Sequence, residues 1–218
     1  MGRTVIRRPR RRTRMAKQRD PLSQVLASGA LQAVLLYFAT HPESTPTVRA
    51  LARATGLGLG SVQTEIDRLV TFGVLQRGRQ DRGLRLSLRA RDPRWLALRT
   101  LVRVAAPIGE VVRAALADVP GIESAFVFGS MAMGTARPDS DVDIAIIGTP
   151  DEQVLARRTI DLGMLVDREV LPLLMRPDEW QQRQNSSRPY DQNLVTGTKT
   201  WVIRDGVPVR PQSKPGAA

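Results

Sequence analysis

Two short stretches constrain this chain more than anything else in it. Residues 125–130 read Ala-Phe-Val-Phe-Gly-Ser, and residues 140–147 read Ser-Asp-Val-Asp-Ile-Ala-Ile-Ile. The first is an apolar run that stops at a glycine, the pattern of a buried strand entering a turn. The second alternates. Asp141 and Asp143 are two apart, so on a strand both carboxylates project from one face while Val142 and Ile144 project from the other, into the core. Neighbouring carboxylates repel each other, and desolvation aggravates the repulsion. A hard divalent cation, Mg2+ or Mn2+, offsets it by binding one or two carboxylates and filling its remaining positions with phosphate oxygens and water. Gly129 allows a ligand close to the backbone. Ser130 brings a hydroxyl and an N–H to an expected helix start, where anions bind well. A phosphate grip and a metal grip on consecutive strands are the components of phosphoryl or nucleotidyl transfer. The plainer alternative is a strand whose two acids face solvent near a turn.

The text Phe128-Gly129-Ser130, ten residues, then Ser140-Asp141-Val142-Asp143 resembles the signature of nucleotidyltransferases of the DNA polymerase β superfamily, in particular the minimal branch. The resemblance implies Asp141 and Asp143 as metal ligands and catalytic residues. It implies Gly129, Ser130 and Ser140 as contacts to a nucleoside triphosphate (NTP). Two departures stand out. Members often carry an Arg shortly after the Gly-Ser, where this chain has Ala132-Met133-Gly134; Arg137 is the candidate stand-in. Active members bring a third carboxylate from the next strand, and its position here is Leu171. Glu169, two residues earlier on the same face, is the candidate third ligand or base; the alternative is a surface acid paired with Arg168.

The chain has 218 residues, 42% of them hydrophobic, enough for one large domain or two small ones. With no cysteine and a single histidine, any metal has to be held by oxygen. No apolar run of membrane-spanning length occurs, and no secretory signal follows the N-terminus, so a cytoplasmic protein with no membrane partner is expected. The formal net charge is +12, yet residues 1–19 hold nine cations and no acid, so most of that charge belongs to one segment. We expect residues 1–19 to form a disordered basic arm, either contacting nucleic-acid phosphate or acting as a solubilising leader.

Residues 20–91 carry a different pattern. A short strand is expected at 22–26. Ser28 then caps a helix through Ala39, and Thr47 opens a second helix stopped by Gly56. A third helix begins at Ser61 and stops at Gly73. Two strands, 74–77 and 84–88, flank a loop at 78–83. That order is the order of a winged helix-turn-helix, and residues 47–57 are similar to the opening of that module in bacterial and archaeal regulators. The resemblance implies DNA binding, with the third helix in the major groove. Ser61, Gln63, Thr64 and Arg68 are the candidate base or phosphate contacts, and Arg77, Arg79 and Arg82 the phosphate contacts of the wing. Glu65 and Asp67 oppose this by placing two acids on the reading helix. Winged helices also dimerise or dock proteins, so a homodimer or a protein partner is the alternative.

The expected fold class is α+β: an N-terminal winged helix-turn-helix over 20–91, then a small mixed-sheet nucleotidyltransferase domain with flanking helices over 92–206, and a flexible tail over 207–218. In that second domain Trp95 is expected on a packing surface between domains. The helix after Asp151 is expected to turn Val154, Leu155, Ile160 and Met164 inward. Three functions remain open at this level. The first is transfer of NMP, AMP by family likeness, to a protein or RNA hydroxyl, within a toxin–antitoxin pair. The second is a weakly active or inactive transcriptional regulator that binds DNA. The third is an antitoxin that docks a toxin protein.

Overall fold

A computed structural model describes residues 28–80 and 83–209. The expected strand at 22–26, the basic arm and Arg82 lie outside them. Three helices come first: α1 (Gly29–Thr40), α2 (Val48–Thr55) and α3 (Leu59–Phe72). The Ser28 hydroxyl accepts from the Leu31 N–H at 3.2 Å, and the Thr47 hydroxyl accepts from Ala50 at 3.2 Å. These bonds satisfy helix-end donors that otherwise have no partner. Gly73, at φ +89°, ends α3 in the left-handed conformation. The third helix starts two residues before Ser61, because extended Gly58 serves as its N-cap. Strands β1 (Leu75–Gln80) and β2 (Gly83–Leu88) pair antiparallel from Leu75 opposite Leu88 to Gln80 opposite Gly83. The hairpin therefore takes up most of the loop expected at 78–83. The Leu86 N–H donates to the Pro46 carbonyl at 2.9 Å, tying the hairpin to the entry of α2.

Helices α4 (Pro93–Ala105) and α5 (Ile108–Leu116) lead into a five-stranded sheet. The Asp92 carboxylate caps α4 and pairs with Arg94 at 2.7 Å, hydrogen bonds that hold its carboxyl at about 2. The sheet strands are β3 (Ile122–Val127), β4 (Val142–Gly148), β5 (Val170–Met175), β6 (Thr200–Arg204) and β7 (Val207–Pro208). Their spatial order is β5-β4-β3-β6-β7. Only β4 and β5 run parallel, through α7 (Glu152–Val166). Between β3 and β4 lies a five-residue helix, α6 (Gly129–Met133). Helices α8 (Pro177–Gln184) and α9 (Pro189–Thr196) separate β5 from β6. Val207 and Pro208 pair with Arg204 and Ile203, so the sheet reaches into the span expected to be a flexible tail.

Strand alternation divides the core. Val127, Val142, Ile144 and Ile146 face one cluster, which continues through α5 and α7 into α1–α3 and includes Trp95 at 2% exposure. Phe126, Ala145, Ile147, Met175 and Leu194 form a smaller cluster on the opposite face, with Phe128, Trp180 and Trp201 against it. Trp95 is thus a core residue where the N-terminal helices meet the rest. Polar contacts fasten the same junction: His41 Nε2 lies 3.1 Å from Asp118, and Arg157 bonds Glu43 at 2.8 Å. The buried face of α7 differs from expectation. Leu155, Thr159, Leu162 and Leu165 point inward, while Val154, Ile160 and Met164 are 41%, 59% and 61% exposed. Leu155, Thr159, Leu162 and Leu165 recur at three- and four-residue spacing and form the continuous stripe, whereas Ile160 and Met164 share a face only with each other.

Candidate functional site

The two stretches singled out in the sequence meet at the end of β3. Val127 lies opposite Ile144, and the Phe128 N–H donates to the Asp143 carbonyl at 3.0 Å. The chain then turns at Gly129 with φ +67° and enters α6, with Ser130 in its first turn. A Cβ at Gly129 would collide with an Asp143 carboxylate oxygen and lie 3.2 Å from its Cγ. The acid therefore stands directly over the glycine turn. Only a residue without a side chain fits beneath it, in a backbone conformation that other residues rarely adopt.

Asp143 lies on β4, and Asp141 immediately precedes that strand; both are half-buried. Neither carboxylate has a hydrogen-bond or ion-pair partner among the described residues, and neither does the Ser130 hydroxyl. Burial first, and then the charge of Asp141, push the Asp143 carboxyl above the usual carboxylate range. Because the folded-state value is raised, this group disfavours folding as pH rises from the ordinary 3.8 through the raised value. Below 3.8 the penalty is absent, since the group is protonated whether the chain is folded or not. Asp143→Asn is therefore expected to raise the Tm of the ligand-free protein at pH 7 and to leave it unchanged at pH 3. A Tm at pH 7 that falls would contradict this account of the site. An all-oxygen donor pair without compensating donors suits a hard divalent ion that completes its shell with phosphate and water.

The loop into Asp141 is built by residues the sequence reading assigned otherwise. The Ser140 N–H donates to the Arg137 carbonyl at 3.1 Å, and the Ser140 hydroxyl accepts from the Arg137 N–H at 2.8 Å. Ser140 thus shapes the turn, and the Arg137 side chain is exposed. The Arg168 guanidinium clasps that turn from below, donating to the carbonyls of Arg137 at 2.8 Å and Ser140 at 2.7 Å. Arg168 is consequently a positioning residue for Asp141 and not the partner of Glu169. No local pattern announces this, because its acceptors are backbone carbonyls about thirty residues away.

Parallel pairing sets Asp143 opposite Leu171, which is 42% exposed. The carbonyl of Glu169 accepts from Val142 at 2.8 Å, and its side chain is exposed one residue outside β5. No group of three His, Cys, Asp or Glu side chains able to hold a metal occurs among the described residues. Glu169 is thus not gathered with the acid pair as a third ligand. Asp161 is committed to Arg157 at 3.2 Å, and Asp167 to Arg103 at 3.1 Å.

On the N-terminal helices, several candidate DNA contacts are occupied within the protein. The Gln63 amide donates to Asp67 at 3.1 Å, and Arg77 pairs with the same carboxylate. Thr64 bonds the Gly60 carbonyl at 3.0 Å. Arg68 pairs with Glu65 at 3.2 Å, and Glu65 is buried, where it also accepts from the Ser28 hydroxyl at 2.6 Å. Glu65 therefore belongs to the packed side of α3 and not to an exposed reading face. Ser61 and Arg79 are exposed. Arg49 and Arg53 flank an open hollow of about 690 Å³ beside Leu57 and Leu59, and like Arg79 they have no partner among the described residues. Arg79 is one of the expected wing contacts, whereas Arg49 and Arg53, both on α2, stood outside the expected set.

Residues 110–178 match the family described as polymerase beta, nucleotidyltransferase, a span running from α5 to the start of α8 and containing the whole of the site above. The chain thus contains a nucleotidyltransferase-fold domain. Among curated proteins, none matches the chain. No helix among the described residues is long and apolar enough to cross a membrane.

Proposed function

We propose that the chain binds an NTP at the Gly129–Ser130 turn, with Mg2+ or Mn2+ held by Asp141 and Asp143, and transfers NMP to a hydroxyl of a protein or RNA. The observation that carries this reading is the unpartnered Asp143 carboxylate standing over Gly129. Held by Asp141 and Asp143, a divalent ion would neutralise phosphate charge and polarise the phosphoryl oxygens. The backbone N–H groups of the α6 first turn and the Ser130 hydroxyl hold the β- and γ-phosphates, and Arg168 keeps the Asp141 loop in place. The acceptor oxygen forms a bond to the α-phosphorus, the bond to the β-phosphate oxygen breaks, and pyrophosphate leaves. With Leu171 beside Asp143, no side chain there takes the acceptor proton, which passes to solvent. A general base contributes about 10²–10⁴-fold, so turnover is slow. Pyrophosphate release from a panel of NTPs tests the reading: equal release by the parent and by Asp141→Ala/Asp143→Ala contradicts it. Leu171→Asp, which sets a carboxylate beside Asp143, is expected to raise the transfer rate by about 10-fold or more. An unchanged or lower rate means that the leucine does not limit turnover.

A second reading concerns residues 28–89, whose three helices and hairpin follow the winged helix-turn-helix order. Because Gln63, Arg68 and Arg77 are engaged internally while Arg49, Arg53 and Arg79 are not, we read this unit as a phosphate-contacting DNA module with little base discrimination. Replacing the three arginines with alanine is expected to flatten the salt dependence of duplex binding by a slope of about 2–3. A slope equal to that of the parent rules the contacts out.

A further inference from the structure

Helices α4 and α7 pack side by side, and between them runs an open groove of about 260 Å³. Two arginines of α4 hold it in shape. Arg99 Nη2 donates to the Met164 carbonyl at 3.1 Å, and Arg103 pairs with Asp167 at 3.1 Å. Buried Leu165 forms the floor, and Leu96, Thr100 and Met164 line the sides. The ledges are apolar and uncovered. Leu96 is 47% exposed and Met164 61%, and Ile160, one turn before Met164 on the same face of α7, is 59% exposed. An apolar stripe turned out of the core and continued on the neighbouring helix is the composition of a contact surface.

The charge at the groove is one-sided. Helix α4 carries Arg94, Arg99 and Arg103 and no acid, and Arg94 is engaged by Asp92. No acid lines the groove; Asp167 stands beyond it at the end of α7, beside Arg103. Among the described residues Arg99 and Arg103 each make one bond, and a guanidinium has several further N–H donors. Both can take a carboxylate without leaving their places.

We infer that this groove docks an amphipathic helix of a partner protein. Its apolar side chains, at three- and four-residue spacing, lie between Leu96 and the Ile160–Met164 ledge, and its Asp or Glu residues meet Arg99 and Arg103. A groove between two packed helices accepts the side-chain ridge of a third. A second copy of this chain is a poorer occupant, because a two-fold contact sets the same surplus of arginine against itself. Nucleic acid suits the arginines but leaves Leu96, Ile160 and Met164 uncovered. Helix α7 covers the sheet face opposite Asp143, so the docked helix leaves the acid pair open. The inference does not rest on the nucleotide reading.

Selection from a displayed library of helical peptides about 18 residues long, with the full chain as bait, tests this, followed by titration of the enriched peptides. These are expected to carry an apolar stripe flanked by Asp or Glu. Leu96→Ser/Met164→Ser, at two exposed positions, is expected to weaken them about tenfold or more. That variant keeps every cation of the chain, so attraction to basic residues elsewhere is unchanged. Arg99→Glu/Arg103→Glu is expected to weaken them about tenfold or more, and to bind again when the peptide acids are replaced by Lys. Thermal melts report that both variants are folded. No enrichment, enriched peptides without acids, or parental affinity in Leu96→Ser/Met164→Ser overturns the inference. Self-association of the parent, or its binding to duplex DNA, that Leu96→Ser/Met164→Ser abolishes assigns the face to another occupant and overturns it too.

Discussion

Gly129→Ala is expected to lower nucleotide transfer by about 10²-fold or more, the order of loss that follows a misplacement of about 1 Å at a reacting centre. Two effects combine. At φ +67° a residue with a side chain is strained by roughly 1–2 kcal/mol. The new methyl group also has to displace the Asp143 carboxylate from its position over the turn. Gly134 separates the two effects. It closes α6 at φ +76°, yet a Cβ there meets nothing within 4 Å. Gly134→Ala is expected to lower stability by a similar amount and to leave NTP binding near the parental level. Initial rates, NTP titrations and thermal melts of the two variants decide the matter, and a parental transfer rate for Gly129→Ala would show that the carboxylate and the turn do not act together.

The second large effect is on stability. Phe126 is fully buried at the centre of an aromatic group, with ring centroids 4.7 Å from Trp201, 5.7 Å from Trp180 and 6.1 Å from Phe128. Phe126→Ala is expected to destabilise the fold by about 3–5 kcal/mol, through lost transfer energy and the cavity left behind. Typical domains have about 5–15 kcal/mol in total. Leu84→Ala, at a half-exposed wing position, is expected to change stability by less than about 1 kcal/mol. Urea unfolding measures both. A loss below about 1 kcal/mol at Phe126 would mean that the smaller cluster does not support the sheet.

What could be read from the residues follows from how local each determinant is. Ser28, Thr47, Gly56 and Gly73 mark helix ends through bonds and conformations within a few positions, and all four stand at the ends where they were expected. Period-two alternation placed Val142 and Ile144 in the core and left Asp143 on the other face. The start of α3 was misjudged because glycine caps a helix without the side-chain signal that serine carries. The inward face of α7 was misjudged because Ile160 and Met164, four residues apart, form an apolar stripe of their own on the side opposite Leu155, Thr159 and Leu162. Arg168 and the groove between α4 and α7 were not legible, since each depends on groups brought together across long stretches of chain. Likewise, Gln63 and Arg77 looked free for a ligand until the hairpin brought Arg77 to Asp67.

The account depends on Asp141 and Asp143 acting with the glycine turn as one metal-dependent triphosphate site. Calorimetric titration of ATP into the parent and into Asp141→Asn/Asp143→Asn, each in Mg2+ and in EDTA, measures this directly. The parent is expected to bind at least about tenfold more tightly in Mg2+ than in EDTA, and the double variant to lose that difference while remaining folded. Identical affinity of the parent in Mg2+ and EDTA, or a double variant that retains the full metal-dependent gain, would contradict it.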